Sequence, residues 1–285
     1  MIKPKVIDLF AGVGGMSLGF EQEGFDVVLA NEYDESIANA YRINHKNTKM
    51  VVGDITQLDL EKTFGDFQGK IDVIIGGPPC QGFSQKGQRK TIHDERNFLY
   101  LAMVKLTEKL KPKAVLLENV LAMIEANGGV GAKRVIDDFD RIGYKMVPKV
   151  LFAPEYGVPQ IRKRVFFVGL RDSAVEFEFP NASVDQEHFV TCEEAISDLP
   201  SLQTREGNIL KGENVQEYML PPQSEYQKRM RKDSLQVYNH IGSVPIEKTQ
   251  KMIALVPEGK NYLALPDEYR GLYKYHEALT RYHSK

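Results

Sequence analysis

The sequence of 285 residues is poor in cysteine and has only Cys80 and Cys192. Two cysteines cannot build a disulfide framework, and they are too few for a zinc site made of cysteines. No apolar run approaches the 18 residues that suggest a membrane-spanning helix, and the N-terminus lacks the layout of a signal peptide. These absences predict an intracellular, cytoplasmic protein.

A strong charge of either sign is also missing. Lys and Arg number 37 against 39 Asp and Glu, which gives a net charge of −2. No global basic field therefore indicates nucleic acid. The part after Pro221 is mildly basic, but such a stretch is more often a solvated surface. With 42% hydrophobic and 27% charged residues, the composition is that of an ordinary globular protein with a sizeable core.

Short apolar runs alternate with amphipathic stretches through the first 170 residues. The predicted strands are residues 5–10, 26–31, 50–52, 71–75, 114–118, 144–152 and 165–170. The predicted helices between them are residues 16–23, 35–44, 97–109 and 131–142. This alternation predicts an α/β fold with a doubly wound, mostly parallel sheet. The last two strands have no helix between them, so we expect an antiparallel hairpin at one edge.

The pattern loosens after residue 170. Residues 172–221 are polar and contain several prolines, and one basic helix is predicted over residues 226–235. We therefore place a boundary between residues 170 and 222. The prediction is a larger domain over residues 1–170, followed by a smaller region over residues 171–285.

A glycine-rich turn follows the first predicted strand. In residues 8–15, Gly12, Gly14 and Gly15 permit a ligand to approach the backbone closely, and the helix that follows offers free N–H groups. Ser17 stands where the dinucleotide-binding fingerprint requires its third glycine. A nucleotide-like ligand is indicated, but a dinucleotide is disfavoured.

Acidic residues close the next two predicted strands. Glu32 is placed to accept hydrogen bonds from ribose hydroxyls, and Asp54 from an adenine amino group. Either residue alone is more often a solvated acid. Because ligands of open α/β sheets bind beyond the carboxyl ends of the strands, three such strand ends together predict a ligand that contains adenosine.

Cys80 lies in a glycine- and proline-rich loop, residues 76–84, after the predicted strand 71–75. A lone cysteine is usually a small buried hydrophobe, and that interpretation suits Cys192 better. The stiff loop predicts an exposed Cys80 thiol at a cleft. A free thiol has a pKa near ~8.5, so a nucleophile needs positive charge nearby. Arg162 and Arg164 are candidates for that charge.

Glu118 closes another predicted strand, and three polar residues open the last one. A carboxyl group at the rim of an apolar sheet is expected to have a raised pKa and to exchange protons, although a capping or ion-paired acid is the ordinary alternative. Alternation places Gln160, Arg162 and Arg164 on one side. Such a row is more often a solvated edge than a phosphate clamp.

Four motifs in order carry a resemblance to a known family. Residues 8–15, residues 78–81, residues 118–120 and residues 160–164 together resemble the C5-cytosine DNA methyltransferases. The likeness covers residues 3–170 strongly and continues more weakly through residues 194–200 and 257–266. It implies the S-adenosylmethionine-dependent methyltransferase fold, S-adenosylmethionine as cofactor with S-adenosylhomocysteine as product, and double-stranded DNA as substrate.

The resemblance also implies roles for particular residues. The thiolate of Cys80 adds to ring carbon 6 of a flipped cytosine, and Glu118 binds or protonates ring nitrogen 3. The base oxygen and a nearby phosphate are held by Arg162 and Arg164, beside Gln160. The residues implied for cofactor binding are Phe10, Gly12, Gly14, Gly15, Glu32, Tyr33, Asp54, Ile55, Pro79 and Leu99. Those implied for DNA binding are Gln81, Ser84, Lys86, Arg89, Arg96 and Asn119, and no metal is implied.

Two family motifs that follow the target-recognition region do not occur in the sequence. One is an Arg/Thr-rich segment that leads into a Glu-x-x-x-Leu-Gln helix, and the other is a Gln-x-Gly-Asn-x-Val segment. The chain therefore resembles the large subunit of a split bacterial enzyme of a restriction-modification system, or a truncated chain. In the first case we expect a smaller protein subunit as partner and an incomplete target-recognition region in residues 171–285.

Three other functions stay open. The same chemistry on transfer RNA would use the same catalytic residues. A catalytically silent module that binds S-adenosylmethionine is disfavoured by the presence of Cys80 and Glu118. A dinucleotide-dependent oxidoreductase is disfavoured by the missing third glycine.

Overall fold

The computed structural model describes residues 2–79, 99–172, 174–200, 203–204, 215–238, 240–242, 247–257 and 259–269. The chain divides into two compact units. The first unit contains Met1–Ala153 and Ile161–Asn181, and the second contains Pro154–Gln160 and Ala182–Lys285. Within the described ranges, no helix combines the length and the apolar character that crossing a membrane requires.

The first unit is built on one seven-stranded sheet. Its strands are β1 Lys5–Leu9, β2 Asp26–Glu32, β3 Lys49–Val52, β4 Val73–Gly76, β5 Ala114–Val120, β6 Tyr144–Phe152 and β7 Lys163–Arg171. The spatial order is β3-β2-β1-β4-β5-β7-β6. Strands β1 to β5 pair in parallel, whereas β7 is antiparallel to both β5 and β6. The predicted parallel sheet with an antiparallel hairpin at one edge is confirmed.

Helices connect the parallel strands. They are α1 Gly15–Gln22, α2 Glu35–Asn44, α3 Leu60–Phe64, α4 Tyr100–Leu110, α5 Ala122–Glu125 and α6 Val130–Asp140. The four helices predicted from the sequence are present within a few residues of their expected bounds, although position 97, the expected start of α4, lies outside the described residues. The short helices α3 and α5 were not predicted, because four or five residues are too few to show helical periodicity.

Apolar runs form the centre of the sheet because both of its faces are covered by helices. Ile7 and Leu9 on β1 and Ile74 on β4 are fully buried, and Met103 and Leu106 of α4 pack into the same core. Burial of such side chains contributes about 1.5–3 kcal/mol each before the loss of conformational entropy. The central strands are therefore a rigid support for the loops at their ends.

The direction of winding reverses between β1 and β4. From β1 the chain proceeds through β2 to β3 on one side, and it then returns to place β4 on the other side of β1. In open α/β sheets a crevice forms beyond the carboxyl ends of the strands at such a switch point. The loops after β1 and β4 border this crevice.

The second unit is smaller and less regular. Its elements are α7 Cys192–Ile196, β8 Gln203–Thr204, β9 Val215–Glu217, α8 Glu225–Met230, β10 Gln236–Tyr238, β11 Ile241–Gly242 and α9 Glu247–Leu255. The helix predicted over residues 226–235 is wrong in length, since α8 ends at Met230. The side chain of Arg231 binds the buried carboxylate of Asp198 at 2.8 Å and the carbonyl of Leu220 at 2.7 Å. These contacts accompany the end of the helix.

Candidate active site

The glycine-rich turn after β1 packs closely against the protein on one side and is open on the other. Phe10 has a φ of 57°, which is unusual for a residue with a side chain and often marks a functional turn. Gly14 has a φ of 94°, and a Cβ there would lie 2.0 Å from His45 Nε2. By contrast, a Cβ on Gly12 or Gly15 would meet nothing within 4 Å. This open side leaves room for a ligand against the backbone.

Glu32 lies at the end of β2, beside the turn. Its Oε2 accepts a hydrogen bond from the N–H of Gly12 at 2.9 Å, and its Oε1 accepts from the N–H groups of Tyr33 at 2.9 Å and Asp34 at 3.1 Å. The carboxylate therefore has a fixed orientation at the entrance of the turn. The neighbouring Tyr33 is 73% exposed. This arrangement fits a carboxylate that binds the hydroxyl groups of a ribose.

Asp54 follows β3 at the same edge. Its Oδ1 accepts from the N–H of Thr56 at 2.9 Å and from the Thr56 hydroxyl at 2.8 Å. The N–H of Gly53 donates to the carbonyl of Glu32 at 2.9 Å, so the ends of β2 and β3 are joined. Ile55 is buried next to Asp54. The structure thus brings together the glycine turn and both predicted acidic residues.

Glu118 on β5 forms an ion pair with Arg164 on β7. The Nε atom of Arg164 lies 2.8 Å from Glu118 Oε1, and each side chain is about one quarter exposed. Burial raises the pKa of Glu118 above its usual value, while the charges of Arg164 and Arg162 oppose that rise. A carboxyl group in this state can hold a proton beside a permanent positive charge.

The loop after β4 lies next to this ion pair. A Cβ on Gly76 would be 2.9 Å from the Leu9 carbonyl, so the close pairing of β4 with β1 requires glycine. A Cβ on Gly77 would be 3.4 Å from Glu118 Oε2. The buried Asn119 amide donates to the Pro78 carbonyl at 3.0 Å. Glu118 is therefore next to the segment that leads through the exposed Pro79 to Cys80.

Several predicted residues lie outside the described residues. These are Cys80, Gln81, Ser84, Lys86, Arg89 and Arg96. Leu99 is described and is the N-cap of α4. Gln160 belongs to the second unit, whereas Arg162 and Arg164 belong to the first. Strand β7 begins at Lys163, so Gln160 and Arg162 precede it rather than lie in it.

The DNA contact predicted for Asn119 stays a prediction. The side chain is 4% exposed, and besides its bond to Pro78 it accepts from the N–H of Val120 at 2.8 Å. Asn119 therefore positions the loop after β4 in this structure. The predicted role for Cys192 as a buried apolar residue is only partly met, since Cys192 is a free and half-buried thiol in the second unit.

The sequence interpretation missed the residues that support the glycine turn from α2. The Asn44 amide donates to the Val13 carbonyl at 3.4 Å, and the His45 ring packs under Gly14. The Tyr41 hydroxyl contacts Ser17 Oγ at 2.7 Å. Polar residues at the end of an amphipathic helix are usually solvated, so nothing in their spacing distinguished them. Only the packing of α2 against the turn identifies them.

The polar groups at the crevice suit a nucleotide-like ligand. Among the described residues, no cluster of three or more His, Cys, Asp and Glu side chains is arranged to bind a metal ion. The crevice offers the acceptor carboxylates of Glu32 and Asp54 and donor backbone N–H groups, and the Glu118–Arg164 pair lies on β5 and β7. Such groups recognise hydroxyls, amino groups and polar ring atoms.

Comparison with known proteins agrees with this arrangement. The sequence model of the C-5 cytosine-specific DNA methylase family matches residues 4–274. The Type II methyltransferase M.DdeI of Desulfomicrobium norvegicum is 37% identical over 273 residues, which cover 93% of this chain and 63% of that protein. M.NgoPII of Neisseria gonorrhoeae is 39% identical over 197 residues, covering 68% and 57%. The chain thus spans about three fifths of the length of these relatives.

Solved structures share the same fold. One of them, described as a DNA modification methyltransferase encoded within a prophage of E. coli, has a TM-score of 0.75 and 28% identity, and the match covers 91% of this chain and 77% of that one. The methyltransferase EhMeth of Entamoeba histolytica, with a TM-score of 0.56 and 19% identity over 73% of this chain and 62% of its own, supports the fold alone. The predicted methyltransferase fold is confirmed. The chain belongs to the C-5 cytosine-specific DNA methylase family.

Proposed function

We propose that this protein transfers a methyl group from S-adenosylmethionine to carbon 5 of cytosine in a specific DNA sequence, within a restriction-modification system. The observation that carries the proposal is the Glu118–Arg164 ion pair beside the loop that leads to Cys80. An acid with a raised pKa next to a fixed cation suits proton transfer to a polar ring. The names of the relatives, Type II methyltransferases, support DNA modification as the setting.

The crevice beyond β1 to β3 fits S-adenosylmethionine. The open backbone at Gly12 and Gly15 leaves space for it, Glu32 would bind its ribose hydroxyls, and Asp54 would accept from its adenine amino group. Phe10, Gly14, Tyr33, Ile55, Pro79 and Leu99 would complete the pocket. When bound, this cofactor supplies the methyl group that carbon 5 of the base accepts. S-adenosylhomocysteine is then the product that leaves.

The catalytic side chains act on the base. A target cytosine must leave the stack, because its ring carbons cannot be reached inside a duplex. The Cys80 thiolate forms a bond to carbon 6, and the proton of Glu118 goes to or is shared with ring nitrogen 3, so that carbon 5 gains electron density. After carbon 5 has accepted the methyl group, its proton is lost to solvent, ring nitrogen 3 returns its proton to Glu118, and the bond between sulfur and carbon 6 breaks. This restores both the aromatic ring and the free thiol.

Basic residues would hold the substrate during these steps. Arg164 keeps Glu118 oriented and, with Arg162 and Gln160, would contact the base oxygen and a nearby phosphate. Gln81, Ser84, Lys86, Arg89 and Arg96 are proposed to contact the DNA along the segment after Cys80. Contacts of this kind with phosphates give affinity without sequence choice. Choice of sequence is then a task for the second unit and for the smaller partner subunit that we expect.

Expression in a bacterial host that lacks cytosine methylation, together with the partner subunit where one is required, tests the proposal. We expect bisulfite sequencing of the host genome to show 5-methylcytosine at one short sequence, and Cys80→Ser and Glu118→Gln to abolish it. Glu35→Gln, on the exposed face of α2, is the matched control and should methylate normally. Modified cytosine in host transfer RNA, with none in DNA, would contradict DNA as the substrate.

The expected partner subunit is tested separately. The purified chain of 285 residues is incubated with unmethylated DNA and labelled S-adenosylmethionine. We expect little transfer until a second polypeptide is added. Full, sequence-specific turnover by this chain alone would contradict the idea of a split enzyme.

A further inference from the structure

A chain of buried hydrogen bonds runs beneath the glycine turn. The Ser17 hydroxyl donates to Asp8 Oδ2 at 2.7 Å, and Ser17 Oγ lies 2.7 Å from the Tyr41 hydroxyl. All three residues have no exposed surface. They come from β1, the first turn of α1 and the middle of α2, so the chain joins the three elements that surround the turn.

The second oxygen of Asp8 is unusual. Its Oδ1 is buried and has no hydrogen-bond partner among the described residues. An unsatisfied buried oxygen costs about 1–3 kcal/mol, and more when it is charged. The proposed mechanism uses neither Asp8 nor Ser17. A free-energy cost of this size in a well-packed core indicates that the buried Asp8 carboxyl has another role.

The charge on Asp8 determines which group donates in each of these hydrogen bonds. An ionised Asp8 can only accept, so Ser17 must donate to it and Tyr41 must donate to Ser17. The bond to Asp8 is then charge-assisted, and the negative charge lies under the N-terminus of α1, where the helix dipole favours it. A protonated Asp8 loses both effects. The Ser17 bonds lower the pKa of the buried Asp8, so a local opening that breaks them while Asp8 stays buried is less favourable when Asp8 is charged. Complete unfolding has the opposite dependence on pH, because it returns the charged Asp8 to water.

We propose that Asp8, Ser17 and Tyr41 form a positioning relay under the glycine turn, in which the charge on Asp8 sets how firmly the turn is held for the cofactor. The relay rests on the proposed function only in naming S-adenosylmethionine as that cofactor. Asp8 and Ser17 are positioning residues, because they act through the backbone of residues 12–16.

The surroundings of Asp8 place its titration in the physiological range. Burial raises the pKa of Asp8 to about 7, the Ser17 hydrogen bonds oppose the rise, and the negative charge of Glu32 adds to it. The other titratable neighbour is Tyr41, whose pKa burial raises to about 12. Beyond it lies the His45–Glu21 pair, with 2.9 Å between Nδ1 and Oε2. Strands β2 and β4 contribute the apolar partners Ala30 and Ile75.

Hydrogen exchange of the purified chain without ligand tests the relay. Protection factors of the amides in residues 12–16, corrected for the intrinsic effect of pH, should rise roughly fivefold between pH 6 and 8 in the wild type. Asp8→Asn should remain at the low level at both pH values, and Ser17→Ala should do the same. Asp26→Asn, an exposed carboxylate at the start of β2, should behave like the wild type. An unchanged rise in Asp8→Asn would overturn the relay.

Titration calorimetry measures how the affinity for S-adenosylmethionine depends on pH. A purely structural role of Asp8 would not change this dependence. The cofactor is a cation, so its binding should favour ionised Asp8, and affinity should increase about fivefold from pH 6 to 8 with proton release. This dependence should vanish in Asp8→Asn and persist unchanged in the control Asp26→Asn. In Tyr41→Phe it should persist only in weakened form. No binding by the wild type at either pH would contradict the proposed cofactor, while the exchange data would still decide the relay.

Discussion

The side chains of Arg164 and Glu118 meet across two antiparallel strands, with 2.8 Å between Nε and Oε1. Glu118 pairs in register with Phe166, two positions beyond Arg164, so both charged side chains leave the same face of the sheet. The pair lies beside the backbone of Gly77, in the loop after β4. This relationship connects the acid of the proposed mechanism to the loop of the nucleophile.

Removing the arginine should change the pH dependence of methyl transfer. Burial raises the pKa of Glu118, and Arg164 is the largest influence that lowers it. Arg164→Met should therefore raise that pKa further. If the protonated acid is the active form, the limb on which kcat falls with rising pH should move to higher pH. Glu118→Gln should lose roughly 10²–10⁴-fold in kcat.

The measurement is a pH–rate profile on unmethylated DNA, with Arg162→Met as the matched variant. Arg162 has a smaller effect on Glu118, so its removal should move the limb less. A profile that stays in place for Arg164→Met would contradict the assigned coupling.

Glu32 should be the acid on which cofactor affinity depends most. Glu32→Ala removes the proposed contact with ribose and also frees the N–H of Gly12. We expect a loss of about 1.5–3 kcal/mol in calorimetry with S-adenosylmethionine. Asp54→Ala should cost less, and Glu35→Ala, whose exposed pair with Arg42 contributes little, should cost almost nothing. Equal affinity in all three variants would show that the ligand lies elsewhere.

Substitutions at two glycines of the turn should have different effects, one on the stability of the fold and the other on the affinity for the cofactor. Gly14→Ala meets His45 and has an unfavourable φ, so we expect it to lower the midpoint of thermal unfolding clearly. Gly15→Ala meets nothing and should keep the midpoint, yet weaken the cofactor by filling the open side. Thermal unfolding and calorimetry on the same samples decide this. A stable Gly14→Ala protein with normal affinity would contradict the geometry of the turn.

Asp8 should make the fold less stable as the pH rises. Its folded pKa of about 7 lies above the ordinary value of 3.8, so its contribution is fully present below pH 4 and is lost as the pH rises to 7. Asp8→Asn lacks this loss and should gain about 2–3 kcal/mol on the wild type between pH 5 and pH 8. Urea unfolding at the two pH values measures it, with Asp26→Asn as the control. A constant difference would contradict the raised pKa.

Much of the sheet could be predicted because its strands are apolar runs, and β2, β3 and β4 end at or just before a glycine or an acidic residue. The same rule located Glu32 and Asp54 at the crevice. The length of α8 could not be predicted. The helix ends where Arg231 binds Asp198, and this contact joins positions that are far apart in the sequence. Asn119 shows the same limit. It shares the inward face of β5 with Val115 and Leu117, and only its bond to Pro78 explains a polar residue there.

The support of the turn was out of reach of the sequence for a different reason. Asp8 stands inside a motif whose glycines draw attention to the ligand, while the residues beneath them come from a helix more than twenty positions away. Ser17 was noted only as a missing glycine. Its hydroxyl links Asp8 to Tyr41 by hydrogen bonds, and the spacing of residues in the sequence does not predict these contacts.

Covalent trapping tests the central claim most directly. DNA prepared with 5-fluorocytosine in place of cytosine needs no knowledge of the target sequence, and fluorine at carbon 5 prevents release of the enzyme. With S-adenosylmethionine and any required partner, the wild type and Cys192→Ser should form a complex that survives denaturation, whereas Cys80→Ser should form none. Trapping that persists in Cys80→Ser, or that requires Cys192, would contradict the account.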